Sequence, residues 1–314
     1  MIECVPNFSE GHDHKKIEAL VAAMSGIKGA RVLDVHSDPD HNRSVVTLAG
    51  EPEPVTEAVL HAVGKAAELI DLRHHRGGHP RIGATDVLPF VPVEGVTMEN
   101  CVKLARHAGA EIWVRYDVPV YFYEEAALRP ERKRLESVRS GEFEYLRDEV
   151  LRNADRTPDI GGPRLHPSAG AVAVGARKFL IAYNINLDTP DVSVAKKIAR
   201  TIRASNGGLP HVKAIGVELK DRKIAQVSMN LTDFEQTSPR RAFEAVRLEA
   251  QRNGCSIRSG EIVGLVPRKA LGPDDAGYLQ LENFEPAQKI IETRLDARTN
   301  EETPDGISLP SIGS

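Results

Sequence analysis

One order of strand and helix signals recurs along this chain, and it restricts the fold more than any other feature. In the second half, "RKFLIAYNINL" (177–187) is apolar and β-prone. Thr189 and Pro190 follow as an N-cap and first-turn pair. Val194, Ile198 and Ile202 then recur at helical spacing up to "SNGG". "HVKAIGVEL" and "KIAQVSMNL" alternate as strands and flank Lys220-Asp221-Arg222 as a hairpin turn. Ser238-Pro239 opens the helix "RRAFEAVRLEAQRN", which Gly254 closes. "CSIRSGEIVGLVP" supplies a last strand. The order is β-α-β-β-α-β, the split βαβ arrangement.

A similar order precedes it. "IECVPNF" predicts a strand, "HKKIEALVAAM" a helix, and "ARVLDVHSD" and "NRSVVTLAG" two further strands. A helix striped by Val55, Val59, Val63, Ala66 and Ile70 leads to a strand through "DVLPFVPV". Beyond it the sequence predicts a helix over roughly 98–108, strands in "EIWVRYDVPVYFY" and a charged helix around 131–153. The expected fold class is α/β (α+β), with two subdomains of split β-α-β-β-α-β type. Their sheets are expected to face each other with the helices outside, which leaves a ligand cleft between them. The expected boundaries are 1–177 and 178–296; residues 297–314, polar and rich in Pro, Gly and Ser, are expected to be disordered.

Composition removes several function classes. A net charge of −4 provides no field that would gather nucleic acid or anionic lipid. No apolar run approaches the roughly 20 residues that cross a bilayer. The start, "MIECVPNFSEG", has neither a basic segment nor an apolar one, so export is not expected. Cys4, Cys101 and Cys255 are odd in number and far apart, which suits reduced thiols in a cytoplasm and argues against a structural zinc site.

Chemistry concentrates in "LRHHRGGHPRIGATDVLPF" (72–90), which places His74, His75 and His79 within six residues of a helix-to-strand connection. Gly77 and Gly78 permit a tight path, and Pro80 stiffens the chain after His79. An imidazole framed in this way can take and return a proton near neutrality. Arg73, Arg76 and Arg81 would lower its pKa and could hold substrate carboxylates. His74 and His75 sit at the helix end, where cationic side chains are favoured anyway. A solvated loop is the bland alternative.

A second stretch, "LDVHSDPDHNRSVV" (33–46), gathers Asp34, His36, Asp38, Asp40 and His41. It reads as a metal site, as a polar hairpin turn, or as the source of a carboxylate or imidazole beside His79. A third, "IGGPRLHPSAGAVAVGA" (160–176), is glycine-rich without any phosphate-loop spacing. It fits either a flat aromatic ligand lying against backbone amides or a plain interdomain crossover.

Five stretches in order carry a resemblance: "ECVPNFSEG" at the start, "NR" at 42–43, "HPRIGATDVLPFVPV" at 79–93, "GPRLHPSAGA" at 162–171 and "GARKFLIAYNINL" at 175–187. Together they resemble the glutamate formimidoyltransferase family over residues 1 to about 296. In animals that family is fused to a cyclodeaminase, of which no segment is present here, so the stand-alone form is expected. The resemblance implies movement of the formimino group of N-formimino-L-glutamate to N5 of tetrahydrofolate. It also implies a homodimer of two-subdomain chains, with folate in a channel between the subdomains. The family's catalytic histidine lies in the H-P-R motif, here His79. Its folate loop corresponds to Gly162, Pro163, Arg164, Leu165 and His166, followed by Pro167, Ser168, Ala169, Gly170 and Ala171.

The chemistry asks for such a residue. N5 loses a proton as it attacks the amidine carbon, and glutamate's nitrogen gains one before leaving, so one imidazole can serve both steps. Carboxylates of glutamate and of the folate tail ask for arginines. Arg43, Arg76 and Arg81 are the candidates, with Asn42 beside Arg43 in the matched motif. Where the animal enzymes carry an acidic residue this chain reads His36, so the acidic role passes to His36 itself, Asp38 or Asp40. The expectation is therefore a folate-dependent transferase with tetrahydrofolate as co-substrate and no metal. A metal-dependent hydrolase using "HSDPDH" and "HHRGGH", and a non-catalytic folate-binding protein, are the competing readings. Formyl transfer from N-formylglutamate differs by one atom, NH for O.

Overall fold

The computed structural model describes residues 1–219 and 222–297. The expected Lys220-Asp221 turn and nearly all of the expected tail lie outside the described residues. The chain divides after Arg177 into two compact units.

The first unit opens with β1 (Ile2–Cys4) and β2 (Asn7–Phe8), one expected strand interrupted at Pro6, which has no N–H to give a ladder. Then come α1 (His14–Met24), β3 (Ala30–Asp38), β4 (Arg43–Gly50), α2 (Pro52–Leu69) and β5 (Thr85–Pro92). α3 (Met98–Tyr116), β6 (Val120–Glu124), α4 (Leu135–Val138), α5 (Glu142–Glu149) and β7 (Val172–Ala176) complete it. In the sheet β1 and β2 lie between β4 and β5, β3 pairs with the far side of β4, and β7 and β6 continue in parallel beyond β5. α1 packs on α2 and α2 on α3, so Leu20, Val59, Val63 and Cys101 enter one apolar core with Leu48 and Leu88 of the sheet. β5 is buried from Thr85 to Val91.

The second unit contains β8 (Ile181–Leu187), α6 (Val192–Ile202), β9 (Val212–Leu219), β10 (Ile224–Leu231), α7 (Pro239–Arg252) and β11 (Ile257–Val263). Its antiparallel sheet runs β11-β8-β10-β9. Both units thus share the split pattern: the first strand lies between the third and fourth, and the second lies beyond the third. The two-subdomain α+β class holds.

Three local expectations need correction. Glu111–Tyr116 is helix, not strand: Cys101, Ala105, Ala108 and Ile112 continue one buried stripe. Gly109 lets that stripe press on Phe122, and Asp117, at φ 54°, ends the helix. The charged helix over 131–153 is broken between α4 and α5, where Gly141 stands at φ 86°. Finally, α6 starts two residues later than Thr189-Pro190 suggests, because the Asp191 carboxylate accepts the Ser193 N–H and supplies the cap.

Candidate active site

The connection between α2 and β5 folds against the turn between β3 and β4, and two residues explain why. Asn42 adopts φ 48° and is buried. Its side-chain oxygen accepts the Gly11 N–H at 2.8 Å, and its amide donates to the Arg76 carbonyl at 2.8 Å. Gly77 lies so close to the turn that a Cβ would stand 2.3 Å from the His41 carbonyl oxygen. The next residue, Gly78, donates its N–H to the Asp40 carbonyl at 3.2 Å. The diglycine therefore answers a packing demand: it lets the loop touch the turn.

His75 and Arg81 brace this contact from inside. With Nε2 placed 3.0 Å from the Asn42 carbonyl and Nδ1 accepting Arg81 Nε at 2.9 Å, His75 is assigned as the neutral Nε2–H tautomer. Burial pushes its pKa down, in agreement with that assignment. Arg81, 6% exposed, also donates to Glu144 at 2.6 Å and to Glu142 at 2.8 Å. Its donors thus have partners within the protein, where the expectation had Arg81 meet a substrate carboxylate. Arg76 is exposed and donates to the His75 carbonyl, and His74 is exposed beside Asp71.

His79 lies half-buried at the end of this frame. Arg43 Nη1 donates to its Nε2 at 2.6 Å, which makes Nε2 the lone-pair nitrogen. Burial pushes the His79 pKa down to about 4, reinforced by the charges of Arg43, Arg139 and His41 and opposed by a hydrogen bond to the Pro80 backbone. The imidazole is consequently neutral at physiological pH. His41 faces it edge-on, ring centres 6.2 Å apart, and His41 Nδ1 bonds Asp38 at 2.5 Å. Asp38 itself is held below the usual carboxylate range, mainly by the His41 backbone N–H.

Behind Arg43 lies a buried charge pair. Asp86, the second residue of β5, is 2% exposed and takes the Ile82 N–H on one oxygen and Arg139 on the other at 2.5 Å. Burial raises the Asp86 pKa against the pull of Arg139 and Arg43. Arg139 reaches inward from the break after α4. Among the described residues, the Nε atoms of Arg43 and Arg139 and the hydroxyls of Ser44 and Thr85 are buried without a hydrogen-bond partner.

The glycine-rich loop docks on both ends of the His79 loop. Leu72 N–H donates to the Ser168 carbonyl, Ala84 N–H to Ala169, and Ala171 N–H to Ile82, at 2.8–2.9 Å. Gly83 and Gly170 are necessary there, since a Cβ on either would fall 2.1 Å from a backbone carbonyl. Within the loop, His166 Nδ1 accepts the Ala169 N–H at 3.0 Å, and Leu165 is buried. Gly162, Pro163, Arg164 and Pro167 are exposed, and the Gly162–Pro163 peptide is cis.

The structure thus joins Asn42, Arg43 and His79, and fastens Ser168, Ala169 and Ala171 to Leu72, Ala84 and Ile82 at the two ends of the His79 loop. His36 is exposed two residues before Asp38 on β3, and the ring that faces His79 belongs to His41 instead. Asp38 bonds the His41 ring that faces His79 and acts on Arg43, which bonds His79. Asp86 and Arg139 were missed. Asp86 carried a signal, being a lone carboxylate inside "ATDVLPF", an otherwise apolar strand that demands a buried cation. Among the described residues no group of three or more His, Cys, Asp or Glu is arranged to hold a metal ion.

Fold and site together describe a two-unit α+β protein whose neutral imidazole sits among guanidinium groups, a setting suited to proton transfer on an anionic substrate. Comparison with known sequences narrows the class. The profile described as "Formiminotransferase domain, N-terminal subdomain" matches residues 1–177, and that described as "Formiminotransferase domain" matches 182–284. Glutamate formimidoyltransferase of Streptococcus pyogenes serotype M1 is 46% identical over 295 residues, covering 94% of this chain and 98% of that protein. Its counterpart in Thermoplasma acidophilum is 44% identical, covering 96% and 99%. Formimidoyltransferase-cyclodeaminase of Mus musculus is 45% identical over 90% of this chain, which spans 53% of that protein. The chain belongs to the formiminotransferase family.

Proposed function

We propose that this chain transfers the formimino group from N-formimino-L-glutamate to N5 of tetrahydrofolate, releasing glutamate. The reading rests above all on His79, a neutral imidazole whose Nε2 carries the lone pair. As N5 attacks the amidine carbon, Nε2 takes the N5 proton. The same proton then passes to the glutamate nitrogen as its bond to carbon breaks, and N5 retains the formimino carbon and its NH. Asp38, acting through His41, supplies negative charge across the strand pair from Arg43. Tetrahydrofolate is the co-substrate, and residues 162–171 are the surface on which we place it: exposed Gly162, Pro163 and Pro167 offer a flat ring close backbone approach. Arg43 is the carboxylate ligand. We assign Arg76 to the folate glutamyl tail on the basis of its exposure.

The family resemblance carries two further readings, a homodimer and a cytoplasmic protein. The second is supported by three free cysteines. Separately, among the described residues no helix is long and apolar enough to cross a membrane. Purified protein assayed with formiminoglutamate and tetrahydrofolate tests the reaction. Replacing His79 with alanine should lower kcat by about 10²–10⁴ while tetrahydrofolate affinity stays within a few-fold. Retained turnover would refute the role given to this imidazole.

A further inference from the structure

The lone pair that the proposed reaction needs is occupied. Arg43 Nη1 holds His79 Nε2 at 2.6 Å, and a nitrogen accepting that bond cannot also accept a proton from N5. The surrounding groups show how it becomes free. Asp86 has both oxygens engaged, one by Ile82 N–H and one by Arg139. The Nε donors of Arg43 and Arg139 are buried with no acceptor among the described residues. Asp38, the other carboxylate that acts on Arg43, has both oxygens engaged by His41; an acceptor for the remaining guanidinium donors is therefore a further carboxylate. Arg139 is fixed by its pair with Asp86; Arg43, held to the protein by a neutral ring nitrogen, is the arm that can exchange.

We propose that Arg43 masks His79 and switches its hydrogen bond from Nε2 to a carboxylate of the formimino donor, with Arg139 as the fixed partner in the receptor. This rests on the donor reading given above. A charge-assisted, two-pronged guanidinium–carboxylate contact is stronger than a single bond to a neutral imidazole, so the exchange runs toward the carboxylate. It has an electrical consequence as well. The charged and titratable groups facing His79 are Arg43 from β4, His41 from the turn with Asp38 behind it, and Arg139 with Asp86 of β5 behind it. Of these, Arg43 is in direct contact, and cancelling its charge returns part of the ring's proton affinity, the share taken by burial remaining withheld. Donor binding thus frees the base and strengthens it in one movement.

The test uses the full chain with ring-labelled histidine. The His79 resonances are assigned by their loss in His79→Gln, and L-glutamate serves as the probe because it carries both carboxylates and no amidine. Saturating glutamate should raise the His79 pKa by about one pH unit or more. Arg43→Gln should start with a raised pKa, and glutamate should then leave it nearly unchanged. An unmoved pKa in glutamate-saturated wild type overturns the switch. An equal rise in a glutamate-saturated Arg43→Gln protein overturns it too, and so does failure of glutamate to bind. Formimino transfer measured on the same wild-type preparation separates that failure from failure of the donor reading: turnover without a pKa change leaves the reaction standing and removes the switch.

Discussion

Gly77→Ala is the sharpest perturbation available, because the neighbouring glycine supplies its own control. A Cβ at Gly77 would stand 2.3 Å from the His41 carbonyl oxygen and 2.8 Å from Asn42 Cβ. Relief to ordinary contact displaces the loop from the turn by about 1 Å. That movement stretches the Gly78–Asp40 bond, already 3.2 Å, and the 2.8 Å bond from Asn42 to Arg76. At about 1 kcal/mol each, stability falls by about 2 kcal/mol. For a unit of this size the thermal midpoint then drops by about 4–8 °C. The same displacement misplaces His79, and an error of about 1 Å costs on the order of 10²-fold in kcat. At Gly78 the nearest atom to a Cβ is Asp40 O at 3.5 Å, an ordinary contact. Gly78→Ala should therefore stay within about 0.5 kcal/mol of wild type. Steady-state kinetics and differential scanning calorimetry on both variants decide the matter. Equal losses in the two, or no loss in Gly77→Ala, would refute the docking argument.

Two further outcomes follow from the buried charges. Asp86→Asn leaves Arg139 and Arg43 facing each other without a carboxylate and should cost about 3–5 kcal/mol, read by urea unfolding; Asp86→Asn combined with Arg139→Met should recover part of the loss. The His79 pKa lies at about 4 in the folded protein against 6.5 ordinarily, so between those values the unfolded chain binds a proton that the folded one refuses. Stability from this residue is complete above that window and declines as pH falls through it. Urea titrations at about pH 5 and pH 7 should accordingly show a smaller decline in His79→Gln than in wild type; equal declines would mean that the ring titrates normally.

Much of the fold could be read from local signals, and the failures are instructive. Ser238-Pro239 and Gly254 mark α7 because caps and left-handed ends are local chemistry: Ser238 Oγ accepts the Arg241 N–H, and Gly254 stands at φ 73°. At Thr189-Pro190 two plausible caps competed, and the carboxylate of Asp191 won. "EIWVRY" misled because Ile112, Trp113 and Val114 are strand-formers by composition, yet the stripe beginning at Cys101 carries helix through them. The site divides in the same way. His79 was visible because its frame is local in sequence. Arg139 was not, since its value lies entirely in meeting Asp86, 53 residues earlier, across a helix break that periodicity cannot see. Arg81 read as a ligand because its charge was visible and its partners Glu142 and Glu144 were not.

The two arginines also set a condition on the donor. Burial, with their charge behind it, keeps His79 neutral, so a lone pair exists at physiological pH, but a base depressed to about 4 accepts a proton from N5 only reluctantly. Cancelling Arg43 with a donor carboxylate lightens that handicap, and does so in the complex alone. Carboxylates remote from the reacting carbon would therefore be felt in kcat as well as in KM, because their binding energy is spent on making the base competent. Formamidine, which has the reacting amidine and no carboxylate, is the discriminating substrate. At saturation its kcat should lie several-fold, up to about 10-fold, below that of formiminoglutamate, since about one pH unit of basicity is withheld. Added glutarate should restore part of the difference in wild type and none in Arg43→Gln. A formamidine kcat equal to that of formiminoglutamate, with the whole penalty in KM, would show that the carboxylates only anchor the donor and that the guanidinium groups do not govern the base.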